Sequence, residues 1–564
     1  MPERNAASLP FWMGAVLAAA VLAAYAGTLG EPLLFESASV LADNPTLRQL
    51  GAALRPPHDG SPVEGRPVLN LSLALNYAAG GAAPDGYHLA NLAIHALAAL
   101  VLFGIVRRTL ARFPDEFGGR EGAVLAGCAA LLWAVHPLQT EAVTNVIQRA
   151  ESLMGLFYLL TLYCFIRGWR GLSVAACLLG MGTKEVMVSA PLIVLLYDRT
   201  FVAGTFRRAW SERRGYYLGL AATWLLLGWL LVGAGSRHGT AGFGSAIRWF
   251  DYLRTQAYAV TLYLGLAIWP HHQIFDYGTR LITRWTVVLP SALVVLAVVG
   301  FTAASILAPG RRWHWKGFLG AWFLALLAPT ALVPVATQTL AEHRMYLPLA
   351  ALAVATVLVL RKVCGRRWEA VALVSAAAAA GLGAATVQRN RVYRSEEALW
   401  SDTVAKIPYN ERAHNNLGNA LYLEGRAREA AAEYERALEL QPEDNPEAQY
   451  NLGNCLLQEG RPQEAAARFR EAIRLAPLNP DAHNQLGDAL AQAGRLDQAR
   501  AEFERAESLD PGRAEPHYNL GNIWAMTGHR DRALAEYRRA AELDPGFADA
   551  RAALERLQAA PAGP

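Results

Sequence analysis

Residues 446–479 read PEAQYNLGNCLLQEGRPQEAAARFREAIRLAPLN, and residues 480–513 read PDAHNQLGDALAQAGRLDQARAEFERAESLDPGR. Each stretch is 34 residues long and sets a Leu-Gly pair, a small Ala, an aromatic ring and a Pro at the same offsets. The register runs on to either side, giving repeats 411–445, 446–479, 480–513 and 514–547, the first with one extra residue. Leu417-Gly418, Leu452-Gly453, Leu486-Gly487 and Leu520-Gly521 begin the pattern, and Pro442, Pro477, Pro511 and Pro545 close it. Gly and Ala let two helices approach, the aromatic fills the space beside them, and Pro ends the second helix because it cannot continue the hydrogen-bond ladder.

This is the pattern of tetratricopeptide (TPR) repeats, and it predicts an α-solenoid over 395–558, with a leading helix in 395–410 and a polar cap at 548–558. Just before each Leu-Gly pair stands an amide: Asn416, Asn451, Gln485 and Asn519. A second row, Asn419, Asn454, Asp488 and Asn522, follows it. On a stacked superhelix such rows line the concave face, where amides can hydrogen-bond an extended peptide. They resemble the asparagine ladder in the repeats of the O-linked N-acetylglucosamine transferase. The competing reading is ordinary repeat consensus, with the amides capping or solvating helices.

Upstream of the array the composition changes. The whole chain of 564 residues is 53% apolar and only 18% charged, which disfavours a wholly soluble protein. Apolar segments suited to a ~30 Å hydrocarbon core fall at 11–29, 87–106, 122–142, 152–168, 214–234, 285–308, 317–335, 345–360 and 368–386. Residues 171–197 read as two short helices meeting at Gly182-Thr183-Lys184-Glu185, and 244–270 reads as an interfacial or re-entrant helix pair. The expectation is an all-α chain: a polytopic bundle of about ten to eleven spans over 1–390, then the solenoid.

The basic loops orient that bundle. Loops 2–10, 107–120, 167–170, 198–214, 311–316 and 361–367 hold 19 Lys and Arg in 57 residues, against 10 in 129 for loops 30–86, 137–150, 236–284 and 336–344. The first set is expected inside, which gives a cytoplasmic N-terminus and an outward TPR domain in an inner or plasma membrane. A net charge of +4 is too small to argue for nucleic acid. No CxxC occurs among the five cysteines, no cofactor is evident, and nothing in the sequence demands a divalent metal.

Ionisable groups near hydrocarbon seldom persist without a role, and the outer set is rich. It comprises Glu36, Asp43, Arg66, His88, His95, His136, Glu141, Arg149, Lys184, Asp276, Glu342, His343 and Arg344. The stretches holding them include Phe35-Glu36 with Asp43-Asn44-Pro45, Gly65-Arg66-Pro67, Tyr87-His88 through His95, Trp133-Ala134-Val135-His136-Pro137, Lys184-Glu185 and Glu342-His343-Arg344-Met345-Tyr346.

Together they resemble the transmembrane-and-TPR O-mannosyltransferases of eukaryotes and their bacterial relatives. The resemblance implies a C-type glycosyltransferase (GT-C) fold, and transfer of a sugar from a polyprenyl-phosphate carrier to a protein or peptide acceptor at the outer face. Such chemistry needs a carboxylate for the attacking hydroxyl and cationic donors for the leaving phosphate. Glu36 and Asp43 are the acid candidates, and Arg66, Arg149, Lys184, His343 and Arg344 the phosphate-binding candidates. His88, His95, His136, Glu141, Glu342 and Asp276 are supporting polar groups.

One departure stands out. Relatives carry an acidic pair in the first outer loop, where this chain reads Glu36-Ser37. The histidines at 88 and 95 share a helical face, so packing between helices competes with function for them. The rival to an enzyme is a catalytically inactive, membrane-anchored TPR scaffold for protein–protein interaction.

Overall fold

The computed structural model describes residues 2–234, 242, 247–308, 314–365 and 367–559. Parts of the expected loops 236–284, 311–316 and 361–367 lie outside the described residues. The chain divides into two compact units, Met1–Asp402 and Thr403–Pro564. Every regular element among the described residues is helical.

The first unit contains α1 (Pro2–Tyr25), α2 (Glu36–Asp43), α3 (Pro67–Gly80), α4 (Pro84–Leu110), α5 (Gly119–Ala134), α6 (Thr140–Thr144), α7 (Arg149–Arg167) and α8 (Arg170–Met181). It continues with α9 (Ala190–Tyr197), α10 (Phe206–Ala234), α11 (Trp249–Ile268), α12 (Trp285–Leu307), α13 (His314–Leu332), α14 (Pro348–Val363) and α15 (Trp368–Asn390). The next helix, α16 (Glu396–Lys406), begins within this unit. Its Trp400 is buried against Phe35 and Phe275, and its Glu396 carboxylate accepts the Phe35 N–H at 3.0 Å. The division therefore falls inside α16, about ten residues beyond the change of composition near 390.

Eight described helices are long and apolar enough to cross a membrane, nine if a bent pair counts as one span. That is fewer than the ten to eleven the hydropathy suggests. With 12 and 16 residues, α8 and α14 fall short of the ~20 a span requires, and α11 carries Asp251 and Arg254. Residues 249–268 also form one continuous helix, α11, where an interfacial or re-entrant helix pair is expected from the sequence. The span around α7 is the most enclosed, with 78% of its apolar window buried, against 17% for α12. The bundle is thus built around α7, while α12 presents most of its surface to lipid.

The bent pair shows how sequence makes a site. Pro137 cannot extend α5, so the chain turns by 58° between Gly119–Ala134 and Pro137–Thr144. The last carbonyls of α5 lose their helical partners, and side chains replace them. Gln139 Nε2 donates to Trp133 O at 3.2 Å, and Thr386 Oγ1 to Val135 O at 2.8 Å. His95 Nε2 lies 2.9 Å from Ala134 O. Polar residues are thereby drawn to the break.

In the second unit the helix pairs are α17 (Glu411–Leu423) with α18 (Ala427–Leu440), α19 (Pro446–Gln458) with α20 (Pro462–Leu475), α21 (Pro480–Gln492) with α22 (Leu496–Leu509), and α23 (Ala514–Met526) with α24 (Arg530–Leu543). Helix α25 (Ala548–Ala559) packs its Ala550 and Ala553 inward. The Gly of each Leu-Gly pair lies under the ring of the paired helix. A Cβ at Gly418, Gly453, Gly487 or Gly521 would come within 2.5–2.6 Å of Tyr434, Phe469, Phe503 or Tyr537. Asn410, Asn445 and Asn479 cap three of the first helices, each accepting a backbone N–H of the first turn.

Candidate active site

Five segments of the first unit bring ionisable side chains together. Lys184, in the turn between α8 and α9, donates from Nζ to Glu151 Oε1 on the first turn of α7 at 2.7 Å. His343, in a short 3-10 turn at Glu342–Met345, sets Nδ1 2.6 Å from Glu141 Oε1 on α6, and its Nε2 is 3.9 Å from Glu151. Arg66, just before α3, reaches Glu185 at 3.1 Å, and Arg66 and Lys184 both act on His343 through space. Glu141, Glu151, Lys184, His343 and Arg344 are all less than a tenth exposed. Gly155 makes the close approach possible, since a Cβ there would sit 2.5 Å from the Tyr346 ring.

The neighbouring groups brace this core. Glu342 accepts from Ile274 N and Tyr277 Oη, both at 2.7 Å. Burial pushes its carboxyl up to about 7, against the opposing charge of Arg389. Burial, followed by the positive field of Lys184, holds His343 down at about 3, so its imidazole is neutral at physiological pH. Arg344 donates to Gln338 O at 2.6 Å and Thr339 O at 3.3 Å, closing its own loop. Asp276 is buried and accepts from Gly278 N at 2.8 Å. The charges acting on Glu141 include Arg389, Lys184 and Asp276, which ties α15 and the 270–284 segment to the cluster.

The remaining candidates sit elsewhere or do other work. Arg149 is 1% exposed and donates to Asn91 Oδ1, Ser72 O, Asn76 Oδ1 and Tyr87 O. It locks α3, α4 and α7 together and offers little to a phosphate. His88 faces Glu31 O, His95 bridges Tyr346 Oη and Ala134 O, and His136 faces Ala267 O. Asp43 is exposed at the end of α2 and does not join the buried cluster, whereas its neighbour Asn44 is buried and donates to Asn70 Oδ1 at 2.8 Å.

Glu36 is half-buried at the first turn of α2, where the helix dipole favours a carboxylate. Ser37 Oγ donates to Asn145 Oδ1 at 2.8 Å and accepts from Ile147 N at 3.2 Å, so α2 abuts the entry to α7. Phe35, the residue before Glu36, has φ +50°, a strained region for a bulky side chain.

Sequence reasoning placed Glu151 and Tyr277 in the outer polar set, in Gln148-Arg149-Ala150-Glu151 and Asp276-Tyr277-Gly278, without a role of their own, and did not single out Arg389. The signal for Glu151 was its place two residues after Arg149 at the head of a span. The cavity bordered by Glu151, Arg344 and Pro348 is about 10 Å³, space for about one water.

In the second unit the amide rows partly bond each other. Asn419 Oδ1 accepts from Tyr434 Oη at 2.8 Å and from Asn451 Nδ2 at 2.9 Å. Asn519 Nδ2 donates to Asn484 Oδ1 at 3.1 Å, and Asn522 Oδ1 accepts from Tyr537 Oη at 2.8 Å. Asn454 and Gln485 lie beside the Tyr450 hydroxyl. Asn416 is buried, and its Nδ2 has no protein partner.

A tetratricopeptide repeat family model matches residues 415–480, 450–514 and 484–546. Over 450 residues the chain is 23% identical to a protein O-mannosyl-transferase of Caenorhabditis elegans, covering 74% of this chain and 61% of that protein. Tmtc1 of Drosophila melanogaster, also named a protein O-mannosyl-transferase, is 32% identical over 256 residues, 40% of this chain and 28% of that one.

The chain is a relative of the protein O-mannosyl-transferases. It spans 61% of the length of the nematode transferase and a smaller share of the fly and human ones. Human TMTC2, another transferase of this name, is 39% identical over 110 residues, 20% of this chain and 12% of that protein. Among solved structures, a TPR protein titled as having an unusual peptide-binding site, YrrB, is 26% identical across 31% of this chain and 89% of its own, with a TM-score of 0.27.

Proposed function

We propose that the chain is a C-type membrane glycosyltransferase that moves a sugar from a polyprenyl-phosphate carrier to a protein or peptide hydroxyl. The observation carrying this reading is the buried cluster of Arg66, Lys184, His343 and Arg344 with Glu141 and Glu151 in a chain related to the protein O-mannosyl-transferases. The acceptor oxygen attacks the anomeric carbon while Glu36 takes its proton. The bond from that carbon to the phosphate oxygen breaks, and the carrier phosphate leaves with the electron pair. Lys184 and Arg66 bind that phosphate, their present carboxylate partners Glu151 and Glu185 presetting the geometry.

In this reading the basic loops put the N-terminus in the cytoplasm of an inner-membrane protein and the TPR array outside. Asn416 and the half-buried amides of the following repeats take the acceptor backbone. The reading is tested with the purified chain in lipid nanodiscs, given a panel of polyprenyl-phosphate sugars and acceptor peptides. Carrier-phosphate release and peptide glycosylation are scored together. Glu36→Gln is expected to slow transfer about 10²–10⁴-fold, and unchanged transfer removes Glu36 from its role.

A second reading, an inactive membrane-anchored scaffold, is favoured by Ser37. It stands where the resemblance implies a second acid, and its hydroxyl is a structural tie to Asn145 and Ile147. Failure of the wild-type chain with every donor, while a bound peptide is retained, favours that reading.

A further inference from the structure

A sizeable cavity in the bundle lies away from the charged cluster. It encloses about 610 Å³ between α4, the wide turn after α9, α13 and α14, with walls including Leu102, Val106, Phe201, Phe318, Trp322 and Val354. The helices that frame it run between the two sites. On α7, Glu151 belongs to the charged cluster and Leu162 lines the cavity, a separation of about 16 Å at 1.5 Å per residue. On α14, Pro348 borders the charged cluster and Lys362 borders the cavity. The cavity therefore opens toward the membrane face opposite the cluster and is distinct from the proposed donor site.

Close-packed interiors do not leave such space empty, and apolar walls do not hold water in it. Its size is that of a ligand site, and in a bilayer the apolar molecule at hand is a lipid chain. The charges at its mouth select the headgroup. Arg361 stacks on Phe117 at 4.4 Å and pairs with Glu121 at 2.5 Å, and Lys362 is exposed at the rim. Glu116 also lines the rim. At this end the described residues of 107–121, 314–316, 361–365 and 367 hold eight Lys and Arg against three acidic residues. Such a collar attracts anionic lipid headgroups.

We infer that this cavity binds one membrane phospholipid with an anionic headgroup, an acyl chain between α4, α13 and α14 and the phosphate beside Lys362. The lipid is a structural component of the bundle and takes no part in sugar transfer.

The test is native mass spectrometry of the full chain in mild detergent, with lipid extraction and thermal unfolding after delipidation. The expected result is about one retained phospholipid per chain, enriched in anionic species, and a melting temperature raised by phosphatidylglycerol more than by phosphatidylcholine. Ala351→Trp, which fills the cavity, should reduce retained lipid several-fold and abolish the phosphatidylglycerol response. Lys362→Glu, at an exposed position, should keep the fold and erase the anionic preference, so it carries the test if Ala351→Trp does not fold. Equal response to both lipids in wild type, unchanged retention in Ala351→Trp, or recovery of only polyprenyl phosphate or detergent overturns the inference. Because no readout is sugar transfer, it stands or falls apart from the proposed activity.

Discussion

In the repeat unit one contact recurs: a glycine of the first helix lies under an aromatic ring of the second, four times over. In the membrane unit the decisive contacts occur once each, between residues as far apart as Glu141 and His343. The first arrangement distributes stability over interchangeable parts. The second concentrates it in a few buried charges, each needing its own partner. Damage should therefore be graded in the array and abrupt in the bundle.

The sharpest probe is Lys184→Met, which leaves Glu151 buried without its 2.7 Å partner. A loss of about 3–5 kcal/mol is expected, read as thermal unfolding in detergent. Adding Glu151→Gln should recover much of it, and strictly additive losses would show that the pair is not coupled.

Next comes pH. The Glu342 carboxyl sits at about 7, above its ordinary 4.5, so the folded chain holds that proton more tightly than the unfolded chain. Its contribution is complete below about 4.5 and is lost as pH rises through 7, roughly 3 kcal/mol in all. Glu342→Gln should flatten the stability profile over that interval, and an unaltered slope would assign the dependence elsewhere.

Within the array, Gly453→Val forces a side chain into the Phe469 ring, 2.6 Å from the Cβ position. Overpacking of this kind costs about 1–3 kcal/mol. Lost hydrogen-exchange protection should centre on residues 446–479, with the membrane helices unchanged. A collapse of both units together would break the contrast drawn above.

The smallest expected effect is at half-buried Asp488, whose carboxyl burial raises to about 7 from 3.8. Its contribution too is full at low pH and drains as pH rises through 7. Solvent screening should hold Asp488→Asn to a gain under about 1 kcal/mol at pH 8, visible as a small rise in melting temperature.

The array was legible because repetition exposes its rule: Leu-Gly, Ala, ring and Pro announce close helices and a terminator. The bundle was legible only in outline. Lys184, His343 and Arg66 stand out as charges beside apolar runs, and the structure brings them together. Arg149 stood out equally but faces the other way. At about 100° per residue, Arg149 and Glu151 point to opposite sides of α7, one toward the α3–α4 lock and the other toward Lys184. Nothing local says which side holds the site. Asp43 and Asn44 pose the same difficulty at the end of α2, where the neutral neighbour turned inward. The span count differs at α14, whose 16 residues are apolar but shorter than the ~20 a span requires.

The chain leaves the ribosome from its N-terminus, and the order in which partners emerge follows from the contacts of Glu141 and Glu151. Lys184 arrives 33 residues after Glu151, so that pair can close while synthesis continues. His343 follows Glu141 by 202 residues, and the Tyr346 carbonyl that receives the Trp133 indole follows it by 213. Until the 342–347 turn is made, the Glu141 carboxyl lacks His343 and the Trp133 indole N–H lacks its acceptor.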